Sequence, residues 1–229
     1  MKKIFSLFLI FCVSIFSGCS LDDLKPNEIK KIEKHNKELA EEKEKEKEYR
    51  KKIDEGFELL FREKNYEKAR ATFMSAMAVN IQKASDDAKL FYYLGLTEYY
   101  LKNYSSSFQC FDKSIQLDDR DELTYEARGD LNFDLENWEE AVNDYSNAIK
   151  FHNATVNIFI ESTYKSRGCA YANLGKFQDA INDFNFVVSH NKYDAETYFF
   201  LGKAYSDLGD MDNALKNFEQ AKKLGYLKK

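Results

Sequence analysis

A chain of 229 residues that is 44% apolar and 32% charged has the balance of one folded unit, which excludes a disordered polymer and a multispan membrane protein. Its formal charge of −5 argues against nucleic acid as the main partner, since a phosphate-binding face needs a basic excess. One proline and nine glycines supply little turn chemistry for an all-β fold, so the many Lys, Glu, Ala and Leu residues point to an all-α chain.

Residues 1–18 have the layout of a signal peptide. Lys2 and Lys3 form a basic start, Ile4 to Phe16 a mostly apolar core, and Ser17-Gly18-Cys19 a small-residue site ending in cysteine. The core is shorter than the ~20 apolar residues that span a bilayer, so cleavage is the expectation. Phe16-Ser17-Gly18-Cys19 resembles the bacterial lipobox, with Phe16 where leucine is usual. That resemblance implies lipidation of Cys19 and anchoring through acyl chains rather than a spanning helix. Loss of Lys2 and Lys3 would take the formal charge to −7.

Residues 20–52 contain the single proline, Pro26, and then a run dense in Lys and Glu. Ile29, Ile32 and Leu39 are too sparse for a heptad seam. A solvated helical tether is expected, supported by pairs such as Glu41 with Lys45 and Glu48 with Lys52.

From residue 53 a period emerges. Gly95 and Gly129 are 34 residues apart, as are Gly168 and Gly202, Tyr104 and Trp138, and Phe111 and Tyr145. One copy reads Tyr198, Leu201, Gly202, Tyr205, Ala214, Phe218, Ala221; the copies before it keep Tyr164, Gly168, Ala180 and Phe184, then Tyr125, Gly129, Ala141 and Tyr145. An earlier copy keeps Phe91, Leu94, Gly95 and Phe111 but has Ser107 and Ser114 where alanine is usual, and the first keeps Tyr66, Ala69, Phe73 and Ala76 with Gly56 displaced by one residue. These residues resemble the tetratricopeptide repeat, a helix-turn-helix unit that buries its apolar face only by stacking on neighbours. The resemblance implies a right-handed α-solenoid of about five repeats over residues 53–225, at about 53–87, 88–121, 122–160, 161–194 and 195–225.

Asp87, Asp121 and Asp194 precede first helices and suit N-caps. Asn65, Asn103 and Asn137 stand where the two helices of a repeat should turn, and asparagine tolerates left-handed backbone. Ala69 to Ser107 is 38 residues and Gly129 to Gly168 is 39, so extra residues fall between repeats, the second set near 151–160. Lys222 stands where Met77, Ile115, Ile149 and Val188 should face a following unit, which ends the array.

Arg128 and Arg167 replace the leucine before the glycine, and sixteen residues on stand Asp144 and Asp183. Where leucine is kept, at Leu94 and Leu201, the facing residues are Cys110 and Asn217. Arginine and aspartate therefore arrive together, as structural ion pairs must when charge is buried.

Chemistry is sparse. His35, His152 and His190 have no partners at metal-ligand spacing, Cys110 and Cys169 have no second cysteine nearby, and no phosphate loop or nucleophile motif occurs. No cofactor, metal or catalysis is expected. The repeat resemblance implies a groove lined by first helices, carried over to Tyr92, Leu96, Tyr99, Glu126, Asp130, Phe133, Lys165, Cys169, Phe199 and Lys203. With the signal segment, it implies a non-catalytic, lipid-anchored adaptor of the bacterial cell envelope, at the outer membrane facing the periplasm, binding envelope proteins or their segments. A component of an outer-membrane assembly complex, or a surface-exposed lipoprotein meeting an external ligand, are the alternatives.

Overall fold

The computed structural model describes residues 25–152 and 160–226. The signal segment with Cys19, and residues 153–159 of the insertion, lie outside the described residues. The described chain is helical with no strand: α1 (Pro26–Phe61), α2 (Tyr66–Val79), α3 (Ile81–Ser85), α4 (Ala88–Tyr100), α5 (Tyr104–Leu117), α6 (Glu122–Asp134), α7 (Trp138–Phe151), α8 (Ile160–Asn173), α9 (Phe177–His190), α10 (Ala195–Leu208) and α11 (Met211–Lys223). Five hairpins follow one another, α1/α2, α4/α5, α6/α7, α8/α9 and α10/α11, and each second helix packs on the next first helix. Each of the first four first helices also touches the next first helix, which the second helices do not do to the same extent. The array therefore curves with first helices on its inner face.

Tether and first repeat share one helix. No glycine or proline interrupts the sequence between Pro26 and Gly56, and its Lys and Glu favour helix, so α1 crosses the 52/53 boundary over a length of about 54 Å. Pro26 opens it at a position that needs no N–H, and the Lys25 backbone N–H donates to Glu28 at 2.8 Å. Packing on the solenoid begins at Tyr49, which is buried and donates its hydroxyl to Asp87 at 2.8 Å. Lys52 pairs with Glu48 at 4.0 Å, but Glu41 pairs with Lys37 at 3.8 Å rather than with Lys45. Such exposed pairs contribute at most a few tenths of a kcal/mol each.

Within each repeat the glycine faces the aromatic of the second helix. A Cβ placed on Gly95 would lie 2.5 Å from the Phe111 ring, and on Gly129 2.8 Å from Tyr145. Only Gly lets the two backbones approach this closely. The displaced Gly56 still meets its aromatic, at 2.4 Å from Phe73, because the extra residue is absorbed in the turn: Asn65 N–H bonds to the Leu59 carbonyl, six residues back, where Asn103, Asn137, Lys176 and Asp210 each bond five back.

The turns correct one expectation. The left-handed residue is the one before each asparagine, Lys64, Lys102 and Glu136, and in the last two repeats Gly175 and Gly209. The asparagines start the second helices, and Asn65 caps α2 by accepting from the Lys68 N–H at 3.3 Å. Among the aspartates, Asp87 and Asp194 accept from the backbone N–H of Leu90 and Thr197, whereas the Asp121 carboxylate accepts from the Thr124 hydroxyl and makes no backbone cap. The residues added between the first two repeats form the short helix α3. Ser107 and Ser114, in alanine positions, bury hydroxyls that donate to the Gly95 and Ala88 carbonyls, both at 2.8 Å, so neither leaves an unsatisfied polar group.

Apolar packing runs from Phe73, Leu90 and Phe111 to Leu131, continues in a small cluster of Ala141, Tyr145 and Ala170, and resumes around Phe184 and Leu201. The joints on either side of the third hairpin also carry polar ties. Arg128 Nε and Nη2 grip Asp144 at 3.0 and 2.6 Å, Asn132 donates to the same carboxylate at 2.9 Å, and Arg128 Nη1 reaches Asp112 on the preceding repeat at 2.6 Å. Arg167 repeats the arrangement, with Asp183 at 2.8 Å on both nitrogens and Ser146 of the preceding repeat at 3.1 Å. Each arginine thus ties its own hairpin to the second helix before it. The third partner, Asp112 or Ser146, was not anticipated from the sequence.

Candidate functional site

The residue after each repeat glycine sits on the inner face, and the five read Phe57, Leu96, Asp130, Cys169, Lys203. The face is apolar at its start, acidic in the middle and basic near its end. Three of the expected groove residues, Tyr92, Tyr99 and Phe133, are half-buried, Leu96 is only 9% exposed and belongs to the core, and Lys203 is exposed.

At the start lies a cavity of about 620 Å³ lined by Phe57, Phe61, Lys89, Tyr92, Tyr93 and Asp121, among others. Phe57 and Phe61 touch at a centroid distance of 4.7 Å and meet Tyr93 edge-on at 5.7 and 6.0 Å; Tyr93 in turn stacks on Phe73 at 5.7 Å. This wall is held from behind by buried rings, while Phe57 and Phe61 remain 36% and 39% exposed. Burial, then the nearby Asp121 and Glu126 carboxylates, push the Tyr92 hydroxyl well above the usual phenol range. The aromatic wall and the acidic stretch are therefore neighbours. The sequence reading passed over Phe57 and Phe61 because Gly56 is out of step; carrying the residue after the glycine into the first repeat would have found Phe57.

In the middle, Glu126, Asp130 and Asp134 stand one turn apart on α6. Each is held by a neutral donor: Thr163 to Glu126 at 2.8 Å, Tyr145 to Asp130 at 2.8 Å, and Tyr99 to Asp134. Among the described residues none of the three is in a salt bridge. Asp130 is open on one side, yet the walls of the groove strip water from its carboxyl. That desolvation pushes its pKa up to about 6, with the Tyr145 hydroxyl opposing the rise and Glu126 and Asp134 adding to it. Because the folded value lies above the ordinary carboxylate value near 4, this group's share of stability is gained as pH falls through about 6 and is lost above it. An NMR titration should show the Asp130 carboxyl titrating near 6, and Tyr145→Phe should move it higher; a midpoint near 4 in both proteins would refute this description.

At the far end the basic and aromatic residues are engaged. Lys165 reaches Glu196 at 3.0 Å and Asp194 at 3.5 Å, and Phe199 lies against Phe218 and Tyr226 at 5.7 and 4.9 Å. Phe133 meets Trp138 of its own hairpin edge-on at 4.8 Å. The inner face thus brings Tyr92, Tyr99, Glu126 and Asp130 together, and leaves Lys165 and Phe199 tied to the C-terminal repeat.

Burial pushes the Cys110 thiol up to about 11 and the Cys169 thiol up to about 12, where almost no reactive thiolate exists at neutral pH. Among the described residues no group of three or more His, Cys, Asp or Glu is placed to hold a metal ion, and no helix is long and apolar enough to cross a membrane.

Five helical hairpins stacked in one direction, with paired glycine and aromatic inside each, define an α-solenoid of the repeat-protein class. The family model for the tetratricopeptide repeat matches residues 195–224, and the other four hairpins have the same helix-turn-helix architecture, so the described chain has the tetratricopeptide-repeat fold. No curated protein matches the sequence. Solved structures share the fold at low identity. The MamA protein is 19% identical with a TM-score of 0.65, covering 79% of this chain and 93% of its own. PilF of Pseudomonas aeruginosa is 14% identical with a TM-score of 0.65, covering 79% and 78%. YrrB, described as a TPR protein with an unusual peptide-binding site, is 18% identical with a TM-score of 0.65, covering 77% and 86%.

Proposed function

We propose that this protein is a non-catalytic adaptor that binds segments of other proteins on its inner face while a lipid on Cys19 holds it at the bacterial cell envelope, at the outer membrane and toward the periplasm. The observation that carries the binding role is the inner face itself: partly exposed Phe57 and Phe61 are fixed beside Tyr92, and next to them stand three carboxylates that pair with no cation among the described residues. A rigid aromatic wall with adjacent charge is what a recognition surface needs, because the ordering cost is met in advance. The peptide-binding site of YrrB, on the same fold, agrees with this role. The anchor rests on the Phe16 to Cys19 motif and on α1, which would act as a spacer between membrane and repeats.

Photo-crosslinking in cells tests both parts. A crosslinkable residue at Tyr92 or Phe133 should capture a protein partner in the membrane fraction, and Cys19→Ser should move the captured complex out of that fraction. A Cys19→Ser protein that stays with membranes would remove the lipid anchor from the account and leave the inner face untouched.

A further inference from the structure

Resting on the reading that the inner face is the binding face, we infer that its occupant is a segment of a partner polypeptide that carries a lysine or arginine a few residues from a bulky apolar side chain. Two adjoining halves of the face argue for it. The apolar half is the pair Phe57 and Phe61, open toward solvent and backed by the buried rings of Tyr93 and Phe73. A large apolar side chain laid on it removes water from two rings whose positions are already fixed by their contacts with Tyr93. The polar half is Glu126 and Asp130, one helical turn and about 6 Å apart along α6. Among the described residues their bonds come from the hydroxyls of Thr163 and Ser162 on one oxygen of Glu126 and of Tyr145 on one oxygen of Asp130, so a charged donor can be received on the other oxygen of each.

Charge decides the sign of the partner. The rim of the aromatic cavity carries Asp86, Asp87, Asp118 and Asp121 against Lys83 and Lys89, so it adds to the negative potential of α6 rather than cancelling it. The lysine that could offset it, Lys165, is bound to Glu196 and Asp194. An acidic segment would meet like charge at both halves, whereas a basic side chain between them is attracted by both. A group carrying a fixed positive charge also restores to Asp130 the stabilisation that the groove walls take away.

The test is selection of a random twelve-residue peptide library on the full chain, on Glu126→Gln with Asp130→Asn, and on Phe57→Ala with Phe61→Ala. The carboxamides keep the acceptors used by Thr163 and Tyr145, so the first variant retains its fold. The full chain should enrich peptides that pair Lys or Arg with Phe, Trp or Leu. The best of these, made synthetically, should bind the carboxamide variant roughly tenfold more weakly, and its own Lys→Gln version should lose a similar factor on the full chain but little on the variant. Enriched peptides that need Phe57 and Phe61 but carry no basic residue would overturn this inference and keep the inner face as the binding face. Peptides that bind all three proteins equally, or no enrichment at all, would overturn both. A stable dimer of the full chain that Phe57→Ala with Phe61→Ala dissolves would make a second copy the occupant and also overturn it.

Discussion

Replacing Arg167 with leucine is expected to cost about 3 kcal/mol of stability in urea denaturation, although leucine is the usual residue at this position of the repeat. The cost comes from what is left behind. The Asp183 side chain is 7% exposed, and burial already raises its pKa above the ordinary carboxylate range even with Arg167 opposing the shift. Without the guanidinium that carboxylate is buried and unpaired, the Ser146 hydroxyl loses its partner across the joint, and the rings of Tyr164 and Tyr171, 5.2 and 5.7 Å from the guanidinium carbon, lose a cation. Arg167→Leu with Asp183→Asn should recover a large part of the loss, because the buried charge is gone. Equal and additive losses in a double-mutant cycle would show that the two side chains do not act as a pair.

Gly95→Ala should also destabilise, by about 2 kcal/mol, against the ordinary expectation for a helix. In an exposed helix interior the change gains about 1 kcal/mol from propensity. Here the new Cβ would lie 2.5 Å from two ring atoms of Phe111, whose side chain is fully buried. The ring has no free space to turn into, and overpacking of a filled core costs about 1–3 kcal/mol or more. The backbone must therefore separate α4 from α5. Gly95→Ala combined with Phe111→Leu should recover part of the loss, since the smaller side chain makes room at the contact. A stabilised Gly95→Ala protein would mean that the two helices are not in the close contact described above.

The glycines show how far the sequence was legible. Their 34-residue period and the aromatics sixteen residues on come from one hairpin geometry, so the repeat resemblance pointed to the helical solenoid, and the spacing matched Arg128 with Asp144 and Arg167 with Asp183, contacts that the structure has. What spacing could not supply lies across the joints. Asp112 and Ser146 reach the arginines from the preceding hairpin, and their position depends on how neighbouring units stack. The turn residues were misplaced by one because left-handed backbone was assigned to asparagine, while Lys64, Lys102 and Glu136 adopt it and the asparagines begin the next helix. Phe57 and Phe61 were missed for a related reason: the first turn holds one residue more than the others, and the register of the inner face shifts with it. The groove residues Leu96 and Phe199 were assigned by position, but solvent reaches them little or unevenly because Leu96 joins the core and Phe199 is packed against Phe218 and Tyr226.

Function, on this account, sits on the inner face of the first helices, and the most direct measurement is where a partner touches the protein in the cell. Photo-crosslinkers placed one at a time at Phe57, Tyr92 and Phe133 on first helices, and at Gln109 and Asn143, exposed on second helices, should give the same captured partner from the first set and none from the second. Capture from Gln109 and Asn143, with nothing from Phe57, Tyr92 and Phe133, would place the interaction on the outer face and contradict the account.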